Sequence, residues 1–283
     1  MNDNERLQIF SEACKCRAFE EIVYKYIENK TFKYPLYLSA GEEYIACSVA
    51  HFTKKYSPYI FAQHRAHSTY LAFGGVIQEL IDELLGRPTG CCKGMGGSAS
   101  IQSKHIKMFG HDGLMGSQVP IAVGACHANR HFTVAIMGDA AAEEDYVMSA
   151  IAWAGTKKLP ILFVIEDNNL SILTKKNVRR NWSMVDFAKS VNVNAAEISD
   201  EPTSFESWLS EEKLFNNLPL LLNVNTDRLY WHANAGIDVY EKVDRFTEEK
   251  FALEKIFGDK PLLMFNETKH ELEKIWQKTL EIQ

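Results

Sequence analysis

Two polar clusters in this 283-residue chain each follow an apolar run: Asp139 after FTVAIMG, and Asp167, Asn168 and Asn169 after ILFVIE. A carboxylate and an amide oxygen brought to one place are hard donors suited to Mg2+ or Ca2+ beside a phosphate. Upstream, AQHRAHS sets His64, Arg65 and His67 close together. A guanidinium there can hold phosphate oxygens with a forked pair of hydrogen bonds. Downstream, TDRLYWHANAG carries Arg228 and His232. The glycines of RPTGCCKGMGGSAS allow close backbone approach, but Lys93 lacks the Gly-Lys-Ser/Thr context of a P-loop.

The elements between these clusters decide whether they meet. Phe132–Met137 is β-branched and apolar, and Gly138-Asp139 breaks it. An Ala/Glu-rich segment of about 16 residues then reads as a helix, ended by Leu159-Pro160, and Ile161–Ile165 reads as a second buried strand. This is a βαβ unit. Parallel strands share the direction of their carboxyl ends, so Asp139 and Asp167-Asn168-Asn169 fall at one edge of the sheet, where open α/β sheets bind ligands. Further helices are predicted over Asn2–Tyr26, Val76–Leu85, Ile121–Ala128, Met184–Ser190 and 203–217, with a strand over Leu220–Val224. Ser39 with Glu42 predicts a capping box for a helix between the first two of these. Two helices follow Glu241, the last over Glu271–Leu280.

The net charge of −6 argues against a general nucleic-acid binder. No apolar run approaches the length of a membrane span, and MNDNERLQIF is too polar for a signal peptide. The six cysteines show neither zinc nor CxxC spacing, Cys91-Cys92 being adjacent. Reduced thiols and a cytoplasmic location are the expectation. A nicotinamide-binding fold is disfavoured because no GxGxxG follows a strand.

The stretch GDAAAEEDYVMSAIAWAGTKKLPILFVIEDNN resembles the thiamine-diphosphate motif, in which GDG is followed after a helix and a strand by NN. In detail, residues 41–236 are similar to the α subunit of the decarboxylating component of 2-oxo-acid dehydrogenase complexes, including the pyruvate, branched-chain and acetoin types. The resemblance implies a thiamine-diphosphate-binding fold: a three-layer α-β-α sandwich with a mostly parallel central sheet. One diphosphate-binding domain would span 1–283, with an N-terminal helical extension and C-terminal helices.

The resemblance also assigns roles. Asp139, Asn168 and the carbonyl of Leu170 would hold Mg2+, with Ca2+ or Mn2+ as alternatives. His64, Arg65, Gly138, Asp139, Ala140, Ala141, Asn168, Leu170 and His232 would bind the cofactor's diphosphate end, and Gly113 and Met115 would line its aminopyrimidine. His67 and His232 would be the catalytic histidines. Read from residue type alone, Met115 is equally a core residue, and Lys175, Lys176, Arg179 and Arg180 are either an attractor for an anionic substrate or solvated loop charge.

Several positions depart from the family pattern. His64 replaces a tyrosine, and Ser100 a histidine at the end of the Gly-Gly-Ser-x-His loop. Ala140 replaces the third glycine of GDG, where a left-handed backbone would cost a methyl-bearing residue about 1 kcal/mol or more. Glu143 and Glu144 stand in place of Asn-Gln, Asp167 in place of the first asparagine, and Trp231 and Ala233 in place of Gly and Ser.

The mechanism implied needs a glutamate at the aminopyrimidine from a second domain, for which the chain length leaves no room. The resemblance therefore implies a β subunit carrying that glutamate in an α2β2 heterotetramer, a lipoyl acyltransferase as a further partner, and a small anionic oxo-acid substrate. The reaction would cleave a C–C bond next to a carbonyl and transfer the two-carbon or acyl unit. The alternatives are a transketolase-like or acyloin-forming ligase subunit without a lipoyl carrier, and a non-catalytic cofactor-binding subunit. No nucleic-acid or membrane partner is expected.

Overall fold

The computed structural model describes residues 1–32, 34–233 and 243–281. Six parallel strands form the central sheet: β1 (Tyr59–Phe61), β2 (Met108–Phe109), β3 (Thr133–Gly138), β4 (Ile161–Asp167), β7 (Asn194–Ser199) and β8 (Leu220–Asn225), in the order β2-β1-β3-β4-β8-β7. A two-residue ribbon, β5 (Leu170–Ser171) with β6 (Thr174–Lys175), follows β4. The period-2 alternation of a strand sorts each central strand between two cores. Val134 and Ile136 of β3 and Leu162 and Val164 of β4 face one core, while Ala135, Met137, Phe163 and Ile165 face the other. Both faces are therefore buried, as a parallel sheet requires.

Helices cover both cores. On the first lie α1 (Asp3–Glu28), α2 (Glu43–Thr53), α3 (His67–Ala72) and α4 (Ile77–Leu84). On the second lie α5 (Gln118–Asn129), α6 (Asp145–Lys157) and, beyond the short turn α7 (Lys176–Arg179), α8 (Met184–Ser190). The first core is completed by α9 (Pro202–Leu209), α10 (Leu214–Asn217), α11 (Arg245–Phe257) and α12 (Lys260–Glu281), whose Trp276 is fully buried. This is the expected three-layer α/β architecture, with all six strands parallel.

The capping box forms at a different place from the one predicted. Asn2 and Glu5 cap α1 reciprocally, whereas α2 starts without a side-chain cap. Ser39 Oγ instead donates to Glu20 at 2.8 Å and shares a hydrogen bond with Ser68. Glu42 is drawn into the site described below. A different ion pair anchors this end of α2: the buried Arg17 guanidinium bridges Glu43 and Asp244, joining α1, α2 and α11.

Other boundaries moved for local reasons. The helix after Asp139 begins as a single 3-10 turn, Ala141–Glu143, before α6. The segment 203–217 divides into α9 and α10. β1, β2 and β7 went unpredicted; β1 and β2 are short and gain strand geometry from their neighbours. The predicted residues 234–236 and 241–242 lie outside the described residues.

Candidate active site

The sheet order places a topological switch at β1 and β3, because the chain leaves β1 toward β2 on one side and pairs β3 on the other. The carboxyl ends of these strands deliver Gln63-His64-Arg65 and Asp139 to one cavity of about 260 Å³. Its wall also contains Met115, Gly138, Ala140, Ala141, Leu170 and His232. Nine residues singled out from the sequence are thus brought together from five segments of the chain.

Arg65 is buried with both neighbours acidic. Its Nε donates to Glu42 at 2.9 Å, and Nη2 lies 3.8 Å from Glu166. Gly138 lies against this group: a Cβ there would crowd Gln63 Oε1 at 3.3 Å and touch Arg65 Nη2 at 3.5 Å. Glu42 also accepts from Asn168 Nδ2 at 2.8 Å, while Asn168 Oδ1 accepts the Leu170 N–H at 3.1 Å. Glu42 therefore ties the arginine after β1 to the asparagine after β4. Neither Glu42 nor Glu166 was recognised in the sequence as part of the site. The only available signal for Glu166 was a carboxylate at the end of an otherwise apolar strand.

Burial first, and Glu42 second, push the Glu166 carboxyl up to about 8, with Arg65 opposing. Glu166 therefore carries a proton at neutral pH. A raised carboxyl stabilises the fold fully below its unfolded value of 4.5, and that contribution is lost as pH rises through about 8. Thermal melts of Glu166→Gln are expected to lose the part of the wild-type decline that falls in this window. Parallel profiles for the two proteins would show that Glu166 is ionised throughout.

Three imidazoles sit beside Arg65. The His64 ring lies 5.3 Å from His232 and 5.9 Å from His111, centroid to centroid, and meets Tyr37 edge-on at 4.9 Å. Burial, then Arg65 and the other two rings, hold His64 well below its ordinary pKa, so it is neutral. His111, a glycine-rich-loop neighbour that sequence reasoning did not single out, takes the Gly113 N–H on Nδ1 at 3.0 Å. Ser100 Oγ donates to the His111 carbonyl. The loop that ends in serine in place of histidine thus abuts a segment that brings its own imidazole.

Asp139 is buried, and burial together with Asp167 raises its carboxyl pKa against the pull of Arg179. Arg179 Nη2 donates to Asp139 and, at 3.1 Å, to Glu143. Arg180 approaches Glu143 at 3.4 Å and stacks over Trp182, and Lys176 pairs with Asp167. Three of the loop's four cations therefore neutralise carboxylates at or just after the strand ends, while Lys175 is exposed to solvent. Glu143, unexplained by the family pattern, has its partners here.

Ala140 has φ −74° and ψ −37°, so its methyl group costs no left-handed strain. Met115 is 38% exposed, turned to the cavity and not to the core. Gly113 has φ +100°, a conformation suited to glycine, but does not line the cavity wall. Asn168 likewise stands off the wall.

His67 is the clearest correction. It is completely buried, with Nδ1 3.0 Å from Glu20 and Nε2 2.9 Å from Ser98, and it packs edge-on against Phe19. Both ring nitrogens are engaged between α1 and the glycine-rich loop, which makes His67 a positioning residue and leaves no face for chemistry.

This cavity, walled by a buried carboxylate, an arginine and two imidazoles, lies at the switch point of a parallel sheet, where open α/β proteins bind their ligands. Residues 12–199 match the family model of the dehydrogenase E1 component, and the chain belongs to that family as an E1 α component of 2-oxo-acid dehydrogenase complexes. It is 29% identical over 227 residues to the pyruvate dehydrogenase E1 component subunit alpha of Rickettsia prowazekii, covering 75% of this chain and 69% of that protein. It is 27% identical over 239 residues to the mitochondrial subunit alpha-1 of Oryza sativa subsp. japonica, covering 81% of this chain and 60% of the relative. The chain thus spans somewhat under two thirds of the plant subunit's length. Family membership implies thiamine diphosphate as cofactor and a β subunit as partner.

Proposed function

We propose that this chain binds the diphosphate end of thiamine diphosphate with Mg2+ and, with a β subunit, cleaves the C–C bond next to the carbonyl of a 2-oxo acid. The convergence of Asp139, Arg65, the neutral imidazole of His64 and the ring of His232 on one cavity carries this reading. Bound thiamine diphosphate supplies a carbon nucleophile that stabilises the negative charge left by bond cleavage. The residues present fit it. The raised pKa of buried Asp139 marks a site that favours a cation, and Arg179 meets that demand here. Asp139, Asn168 and the Leu170 carbonyl would hold the metal, with Arg179 moving aside to Glu143. Arg65, His64 and His232 would face the diphosphate, and Met115 the aminopyrimidine.

The partner follows from what the cavity leaves uncovered. Leu114, Ile172 and Leu173, next to Met115 and Leu170, are 60%, 53% and 57% exposed. On α5 and α6, Ile121 and Trp153 are 54% and 46% exposed, beside a groove lined by Pro120, Val123 and Tyr146. Apolar surface of this kind marks an interface, and we assign it to assembly with the β subunit and a second copy into an α2β2 heterotetramer. The relatives' names point to pyruvate as the donor. The bond from Ser100 to the His111 carbonyl supports a second reading, an acyloin-forming ligase with a differently shaped substrate wall.

Calorimetry tests the metal site directly. Thiamine diphosphate is expected to bind the wild-type assembly only with Mg2+ present, and Asp139→Asn is expected to abolish the dependence by removing the carboxylate. Equal affinity after chelation, or in the variant, would sink the reading.

A further inference from the structure

Cys91 and Cys92 lie outside the cavity, on the glycine-rich loop, with their sulfurs 4.0 Å apart and both side chains partly exposed. Glu83, at the end of α4, organises that loop. Its carboxylate accepts four backbone N–H groups, from Cys92 at 2.7 Å, Gly94 at 2.9 Å, Gly96 at 2.8 Å and Gly97 at 2.9 Å. Two N–H groups per oxygen use the carboxylate's lone pairs. Although Glu83, Cys91 and Cys92 lie close enough to suggest a metal centre, the carboxylate has no capacity left to ligate one. The two sulfurs remain.

Their environments differ. Cys92 Sγ accepts the Gln102 N–H at 3.1 Å and its thiol points to the Ser100 carbonyl at 3.2 Å, whereas Cys91 is left with the sulfur–sulfur contact; the hydrogen bond shared by the two sulfurs lowers the Cys92 pKa and raises that of Cys91. Cys92 is therefore the nucleophile, and Cys91 the thiol that follows it. We infer that Cys91 and Cys92 form a reversible oxidation site that reacts with small-molecule disulfides of the glutathione type to give an intrachain disulfide between adjacent residues.

The step balances. The Cys92 thiolate attacks one sulfur of the oxidant, whose other sulfur leaves as a thiolate. Cys91 then loses its proton and attacks Cys92 Sγ, expelling the second thiolate. One S–S bond has moved from the oxidant to the protein, two thiols are oxidised, and two small thiols are released. Consecutive Cα atoms stand about 3.8 Å apart, below the usual disulfide range of about 4.4–6.8 Å. The product is consequently strained and readily reduced, which suits a switch and not a structural cross-link.

Closure also has a local consequence. Drawing Cys92 Sγ to Cys91 removes the acceptor of the Gln102 N–H and the 3.2 Å contact to the Ser100 carbonyl. Ser100 Oγ donates to the carbonyl of His111, whose ring lies 5.9 Å from that of His64. Oxidation therefore loosens a segment that backs the cavity wall.

Cys16 and Cys47 provide an internal control. Their sulfurs are closer, at 3.8 Å, but both residues are buried, so separation alone would favour them and access alone would exclude them. The folded chain, equilibrated in glutathione redox buffers, quenched with an alkylating reagent and mapped by peptide mass, is expected to show the 91–92 linkage and full reversal by dithiothreitol. Cys91→Ser should stop at a mixed disulfide on Cys92, formed roughly tenfold faster than the one on Cys91 in Cys92→Ser. The Gln102 amide should exchange faster in the oxidised chain. Absence of the linkage in fully oxidised buffer, prior formation of a Cys16–Cys47 linkage, or equal rates in the two variants would overturn the inference.

Discussion

Arg65→Ala is expected to destabilise the chain by about 3–5 kcal/mol, the loss typical of removing one partner of a buried ion pair. Arg65 is 5% exposed, and its guanidinium is the cation between Glu42, 1% exposed, and Glu166, 3% exposed. Without it two carboxyls face one another in the interior, and Glu166 holds its proton to still higher pH. Thermal or denaturant unfolding measures the loss directly. The double variant Arg65→Met with Glu42→Gln should recover much of it, because the charge and its partner are removed together. Cofactor affinity should not recover in the double variant, and a charge-assisted contact of this kind is worth about 1.5–3 kcal/mol. Stability recovered with affinity still lost would separate the structural role of Arg65 from its role at the diphosphate. Full affinity in the double variant would mean that Arg65 only neutralises its two carboxyls.

Isolated chain carrying thiamine diphosphate and Mg2+ is expected to exchange the C2 proton of the cofactor no faster than free cofactor, with fast exchange appearing only on mixing with the β subunit. Two of the cavity's lining residues, Met115 and Ile172, are 38% and 53% exposed, which leaves water access to whatever it holds. Excluding that water strengthens every electrostatic interaction inside. Quenched-flow NMR of H/D exchange reads the rate for each subunit and for the mixture, and replacing the partner's glutamate by glutamine should return the mixture to the slow rate. Fast exchange in the isolated chain would move the proton-accepting role onto this subunit. Glu144, exposed at the cavity rim, would then be the first residue to replace.

The central βαβ unit was legible in the sequence because two apolar β-branched runs, a helix with a Pro stop and polar strand ends all agree with one another. Burial of both faces of β3 and β4 needs those runs to be continuously apolar, and they are. The same logic placed Asp139 beside the Asp167-Asn168 end of β4, since strand ends in a parallel sheet must share an edge, whereas Arg65 was assigned only through the family resemblance, the strand before it being too short to read. The bounds read for the helix Met184–Ser190 are those of α8, and the structure shows Ser183 capping it through Val185 and Asp186.

Only the tertiary structure decided where the charges go. Arg179 reaches Asp139 across 40 residues, Glu42 reaches Asn168 across 126, and Gln63 reaches Glu166 across 103. No local pattern encodes such pairs, because each forms only when separate strand ends converge. The same holds for His67. A histidine two residues from Arg65 reads as chemistry, yet the first turn of α3 rotates it by about 100° per residue toward Glu20 and Ser98. Ala140 shows the converse. A missing glycine looked costly from the sequence, but the backbone enters a right-handed 3-10 turn there, and whether φ is positive at one position is a property of the folded chain, not of the residue that occupies it.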